Sequence, residues 1–245
     1  MKILAIIPAR YKSSRFPGKP LQLIQGIPLM IRVAQRTSGA VGKENVVIAT
    51  ESEEIRKVGE SYGFKVVLTS DSCLTGTDRV WEVAQQIAAD IYVNVQGDEP
   101  LIDPGDIQNA IAEKQRYPEF VINGMQTLLA DDDPANINIP KVLTKPDQQL
   151  LYMSRLPIPG IKGNPAHPPV YKKQVCVYAF SYQELSIFGK QPAKTPAEAF
   201  EDIEILRFLE LGVPVRMLEM KSPAIAVDTP EDVIKVEAFL SKNAY

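Results

Sequence analysis

The sequence predicts an α/β protein: a mostly parallel sheet with helices on both faces and an inserted group of partly antiparallel strands. Three observations carry this. Apolar runs without polar alternation, the pattern of strands covered on both faces, alternate with helix-period segments through the first hundred residues. The middle third then turns to shorter strand-like runs joined by Pro- and Asp-rich loops. Helix-period segments return at the end.

Taken in order, KILAIIP (2–8) reads as a buried strand and IPLMIRVAQRTS (27–38) as a helix. NVVIATES (45–52) is strand and turn. SEEIRKVGESYG (52–63) is a helix with Ser52 as cap and Gly63 as stop. KVVLTS (65–70) is a strand, DRVWEVAQQIA (78–88) a helix with Trp81 in the core, and DIYVNVQGDEP (90–100) a strand running into a loop. This βαβα order argues for a parallel sheet. VINGMQTLL, PKVLTK, QLLYMSRLPI and KKQVCVYAFS supply the inserted strands, with long helices absent between them. PAEAFEDIEILRFLELG (196–212) is one helix stopped by Gly212, VPVRMLEM a last strand, and DTPEDVIKVEAFLSK (228–242) a helix opened by Asp228 or Thr229 with Pro230 in its first turn.

Composition removes several function classes. The 245 residues include 27 basic and 30 acidic side chains, a net charge of −3, so general nucleic-acid binding is not expected and a basic patch must be local. Cys73 and Cys176 fit no zinc or redox spacing and read as reduced thiols of a cytoplasmic protein. No apolar run spans a membrane, and Ile3–Ile7 is too short for a signal-peptide core. His167, the single histidine, sits among prolines in GNPAHPP, so a histidine-based triad or metal site is not expected. If the chain is an enzyme, its chemistry rests on carboxylates, Lys and Arg, with or without a metal.

Two places have that chemistry. PARYKSSRFPGKP (8–20) carries Arg10, Lys12, Arg15 and Lys19 and no acid, directly after the first strand. In an open parallel sheet ligands bind beyond the carboxyl ends of the strands, so these cations crowd the mouth of a cleft. Gly18 permits close backbone approach, neighbouring amides can form an anion nest, and the helix that follows adds its positive N-terminus. The features suit a polyphosphate, although neither GxGxxG nor GxxxxGK[ST] is present; the ordinary alternative is a solvated basic loop. The second place is a pair of acidic strand ends. QGDEP puts Asp98 past one apolar run and AVDTPED puts Asp228 past another. Two such carboxylates facing one cleft suit Mg²⁺ shared with substrate phosphate; the plainer readings are a turn residue at Asp98 and a helix cap at Asp228.

PARYKSSRFPGKPL, TGTDRVWEV, VNVQGDEP, LYMSR and VDTPED, in this order over nearly the whole chain, resemble the 3-deoxy-manno-octulosonate (Kdo) cytidylyltransferases. The resemblance implies a Rossmann-like nucleotidyltransferase fold over residues 1–245, with an acceptor-side and dimerisation insertion at about 120–195. It implies a cytoplasmic homodimer that uses Mg²⁺, CTP and a sugar-acid acceptor, with no nucleic acid or membrane partner. Arg10 and Lys19 would hold the triphosphate, supported by Arg15. Thr75, Gly76, Arg79 and Gln96 would line the nucleotide. Asp98 and Asp228 would hold the metal, and Asp228 would help activate the attacking hydroxyl. Arg10, Lys19, Asp98 and Asp228 form the catalytic set.

At the acceptor end the resemblance assigns Arg155, Gln174, Tyr178 and Glu204 to the sugar, with Lys172 and Lys173 as further partners for its carboxylate. Gln174 stands where the family pattern has histidine and Ile205 where it has glutamine. Kdo is the leading acceptor; a related ulosonic or nonulosonic acid, a nucleotide-binding homologue without activity, and a metal-dependent glycosyltransferase remain as alternatives.

Overall fold

A computed structural model describes residues 1–12, 16–129, 132–163, 166–167, 169–221 and 225–243. Strand β1 (Ile3–Pro8) lies at the centre, parallel to β4 (Val46–Thr50) on one side and to β6 (Ile91–Val95) on the other. β5 (Lys65–Leu68) adds a parallel edge beyond β4. On the far side of β6 comes β10 (Lys172–Phe180), antiparallel, then β7 (Val121–Thr127) and β11 (Val215–Glu219), which again run with β1. The order is β11-β7-β10-β6-β1-β4-β5. β8 (Lys141–Thr144) and β9 (Leu150–Ser154) form an antiparallel extension, with β8 pairing the start of β10. A two-stranded ribbon, β2 (Leu23–Ile24) with β3 (Ile27–Pro28), stands apart.

Successive residues of β1 face opposite sides of the sheet. Leu4 and Ile6 join a core layer with Trp81, Phe180, Phe188 and Phe208; Ala5 and Ile7 join another with Met30, Ile31, Ile107 and Ala110. Burial on both faces explains why the central strands show no polar alternation. α1 (Leu29–Val41), α2 (Glu53–Ser61) and α4 (Pro104–Arg116) cover the second layer. α3 (Gly76–Gln86), α5 (Tyr182–Gly189), α6 (Pro196–Glu201) and α7 (Ile205–Glu210) cover the first. α8 (Pro230–Lys242) buries Val233 and Val236 against Ile24 and Leu101 in a smaller core.

No described helix falls among the inserted strands, as expected; α4 precedes them and α5 follows them, two helices the sequence reading did not name. Asp103 caps α4 through Gly105 N–H at 2.6 Å, and Ser181 with Glu184 forms a capping box on α5. The structure corrects the sequence reading in three places. The helix expected over 196–212 is two helices, broken where Asp202 turns left-handed at φ 51°. Lys19–Leu21 is a short 3₁₀ turn, and α1 begins only after the β2–β3 ribbon, so no long helix N-terminus directly follows the basic loop. Finally, residues 225–228 form no strand; Asp228 stands in a loop. Ser52 does cap α2 as expected, accepting the Ile55 N–H.

Candidate active site

The carboxyl ends of β1 and β6 open onto a cleft of about 250 Å³ lined by Arg10, Lys19, Thr75, Gly76, Arg79, Gln96, Asp98 and Asp228 among others. Arg10 is exposed at the rim. Gly18 is left-handed, φ 70°, and starts the turn that presents Lys19. The Gly18 and Lys19 N–H groups donate to Tyr11 O and Phe16 O at 3.1 Å each, so these amides stabilise the loop and do not form the expected anion nest. Phe16 packs at the edge of the small core, and Pro20 is buried. Arg15 lies outside the described residues.

Lys19 Nζ donates to Asp98 Oδ2 at 2.8 Å and to Asp228 Oδ1 at 3.4 Å. Burial alone would pull this ammonium down; the charges of Asp98 and then Asp228 outweigh it and raise its pKa above the ordinary lysine value. Two backbone features create the arrangement. Gly97 passes so close to β1 that a Cβ would lie 2.8 Å from Pro8 O, a contact only glycine allows. Val227 N–H donates to Asp98 O at 2.9 Å, which docks the loop before α8 on the loop after β6. The cap of α8 is Thr229, in a capping box with Asp232. Asp228 precedes the cap, and its N–H donates to Asp232 Oδ2 at 3.1 Å, so the Asp228 side chain is not used as the helix cap.

The opposite wall is the start of α3. Thr75 caps it, and the Asp78 carboxylate accepts the Thr75 N–H at 2.7 Å. The Gln96 carboxamide lies against Gly76, where a Cβ would come within 2.5 Å of its Nε2. Glu204 bridges the two: Oε1 accepts from Gln96 Nε2 and Oε2 from Thr77 N–H, each at 3.0 Å. Burial raises the Glu204 pKa, partly offset by the donors of Thr77 and Thr75. Arg79, 2 % exposed, donates to Thr69 Oγ1 at 2.6 Å and Ser70 O at 3.0 Å. Cys73 also lines this mouth; burial and then the neighbouring Glu82 push its thiol up to about 12, so it is a poor nucleophile.

The other residues assigned to the sugar are disposed differently. Tyr178 is buried and stacks on Phe180 at 5.9 Å. Gln174 Nε2 donates to the Tyr178 hydroxyl at 3.2 Å and to Asn123 Oδ1 at 3.0 Å. Asn123 Nδ2 in turn donates to Val175 O and Val177 O across a register shift in β10. Arg155 does not join the cleft lining. Its guanidinium donates to the carbonyls of Glu201, Ile137 and Asp202, fastening β9 to the end of α6. Lys172 pairs with Glu219 at 2.8 Å and Lys173 with Asp132 at 2.9 Å. Ile205 is buried in the apolar core.

Sequence reasoning missed Glu51, Asp78 and Arg207, and gave no role to Glu99, which stands next to Asp98 in QGDEP. Thr75-x-x-Asp78 is a capping-box spacing and was legible as one. Glu51 and Arg207 had no local signal. Arg207 is fully buried, with bonds to Asp78 and Glu198 and its guanidinium 3.7 Å from the Phe188 ring centroid. Burial, then Asp98, pushes the Glu99 carboxyl up to about 7.

Cations from an early loop, two carboxylates and a capped helix start, gathered at the carboxyl ends of a mostly parallel sheet, define an α/β nucleotidyltransferase. Residues 4–219 match the cytidylyltransferase family. The chain belongs to that family and, within it, to the 3-deoxy-manno-octulosonate cytidylyltransferases, also called CMP-Kdo synthetases. A relative of that name from Syntrophotalea carbinolica is 39% identical over 98% of this chain and 99% of its own. An 8-amino-3,8-dideoxy-manno-octulosonate cytidylyltransferase from Shewanella oneidensis is 38% identical over 98% and 99%. The solved structure of a CMP:2-keto-3-deoxy-manno-octonic acid synthetase complexed with CTP superposes with a TM-score of 0.89 at 34% identity, covering 99% of both chains.

Proposed function

We propose that this chain transfers CMP from CTP to the anomeric 2-hydroxyl of a 3-deoxy-2-ulosonic acid, with Kdo as the leading acceptor, in the activation of a lipopolysaccharide or capsule sugar. The hydroxyl oxygen forms a bond to the α-phosphorus, the bond from that phosphorus to the bridging oxygen breaks, and pyrophosphate leaves. The hydroxyl proton passes to Asp228 or to water. Arg10 and Lys19 hold the triphosphate and neutralise charge as it develops, which is the main requirement of such transfers. Thr75, Gly76, Arg79 and Gln96 form the nucleotide wall; Arg15 belongs to the same loop. Gln174, Tyr178 and Glu204 shape the acceptor end, with Arg155 supporting its backbone.

The observation that carries this reading is the single ammonium of Lys19 reaching both Asp98 and Asp228. A side chain that bridges two carboxylates marks a place where a cation is held, and hard carboxylate oxygens are the donors Mg²⁺ prefers. Asp98 and Asp228 fit that ion, which when bound would polarise the phosphoryl group. Among the described residues no third His, Cys, Asp or Glu completes a cage, in keeping with an ion that takes its remaining ligands from phosphate and water.

The protein is read as a cytoplasmic homodimer; no described helix is long and apolar enough to cross a membrane. The stretch at about 120–195 is read as the acceptor-side and dimerisation insertion. Pyrophosphate release from CTP, Mg²⁺ and Kdo tests the activity, with Asp98→Ala abolishing it in a folded protein. Unchanged turnover in that variant removes the metal assignment. Running a panel of ulosonic and nonulosonic acids, including the 8-amino analogue, in the same assay identifies the acceptor.

A further inference from the structure

Glu51 lies just past the carboxyl end of β4, with 9 % of its side chain exposed. β1 and β4 run parallel, and their pairing continues past β1 through Ala9 N–H to Ala49 O at 2.9 Å. The residues that leave the two strands, Tyr11 and Glu51, therefore emerge side by side. Glu51 Oε1 accepts the Tyr11 N–H at 3.0 Å. Glu51 Oε2 lies 2.7 Å from Arg79 Nη2. Among the described residues neither of these last two atoms makes a hydrogen bond, so their contact is a close buried ion pair, each the other's charge partner. Tyr11 O accepts the Gly18 N–H, which draws the two ends of the basic loop together at its neck.

One carboxylate thus joins the neck of the loop that carries Lys19 to the wall that carries Arg79. These two sides of the cleft come from separate segments and would otherwise have to be brought to their spacing when a ligand arrives. We propose that Glu51 is a positioning residue that fixes the distance between the basic loop and the α3 wall and thereby sets nucleotide affinity. It acts through Tyr11 and Arg79 and is not among the residues lining the cleft. Holding both walls in place beforehand removes an ordering cost from binding. The inference rests on the assignment of this cleft to CTP.

Glu51→Gln separates the two halves of the bridge. The amide oxygen can still accept the Tyr11 N–H, but its NH₂ group then faces Arg79 Nη2, donor against donor. Glu51→Asp keeps the charge on a shorter arm that cannot span both partners. Each variant is expected to raise the KM and the directly titrated Kd for CTP about tenfold, the scale of one lost close ion pair, with the acceptor KM unchanged. A merely structural role would lower the melting temperature and leave the CTP constants of the folded protein alone. A folded Glu51→Gln with CTP constants within about twofold of the parent overturns the proposal. Should the amide variant not fold, the same result in Glu51→Asp overturns it equally. Lys19→Ala is the control. If it loses CTP while the Glu51 variants keep it, only the positioning role fails; if it too keeps CTP, the assignment of the cleft fails.

Discussion

Arg207 Nη1 donates to Asp78 Oδ1 at 2.9 Å, across 129 residues of sequence. The other side of the guanidinium grips Glu198 through Nε at 2.7 Å and Nη2 at 2.6 Å. Asp78 and Glu198 are the capping-box carboxylates of α3 and α6. One buried side chain therefore ties two helix starts together, and one of those starts forms a wall of the cleft.

Arg207→Met should destabilise the protein strongly. It removes the shared cation and leaves Glu198, itself fully buried, without its countercharge. Breaking a buried pair from one side costs about 3–5 kcal/mol. Urea unfolding of the variant against the parent measures this; a loss below about 1 kcal/mol, the range of exposed ion pairs, would contradict the account.

Gly76→Ala should separate activity from stability. In a helix interior alanine is favoured over glycine by about 1 kcal/mol, and at Gly76, the first residue of α3, the gain is smaller. Its Cβ, however, would sit 2.5 Å from Gln96 Nε2, so the carboxamide must swing away from Glu204. The expected outcome is a folded variant whose kcat/KM is reduced about tenfold or more, the scale of one misplaced hydrogen-bonding group. Parental kinetics in this variant would show that Gln96 need not be held where it is.

Glu99 should make stability fall as pH rises. Its carboxyl, 4 % exposed, is pushed up to about 7 from a reference of 4.5. Between these values the native chain holds a proton that the unfolded chain releases, so the contribution is fully present below the unfolded pKa and is lost as pH climbs through about 7. Unfolding of metal-free protein in chelator at about pH 5 and about pH 8 measures the slope, and Glu99→Gln should flatten it. An equal slope in that variant would assign the dependence to another group.

The central strands were legible because burial on both faces leaves continuous apolar runs, and Ser52 was legible as a cap because the cap chemistry is local; at the last helix the letters fit Asp228 or Thr229, and the structure uses Thr229. The loop after β6 announced Asp98 by its Gly-Asp-Glu sequence. What escaped was long-range or masked by composition. α4 carries Ile107, Ala110 and Ile111 at helical spacing, yet Pro104 and Gly105 open it with the letters of a loop. The break at Asp202 depends on tertiary contacts, since it lets Glu204 reach Thr77 and Gln96 while Ile205 enters the core. Arg155 and Lys173 looked like free cations because a sequence does not show which backbone carbonyl or distant aspartate will face them. Glu51 sits in an ordinary acidic stretch, and only the parallel pairing of β1 with β4 reveals what it joins.

The Val227 N–H to Asp98 O bond has a consequence for the order in which the protein becomes competent during its own synthesis. The basic loop and Asp98 emerge from the ribosome early, but Asp228 arrives more than a hundred residues after Asp98. Until that segment docks, a nascent chain can shape much of its central sheet while lacking half of the carboxylate pair. The partly made polypeptide therefore carries Lys19 beside Asp98 alone, and the second carboxylate that this ammonium bridges is added only when the last segment docks.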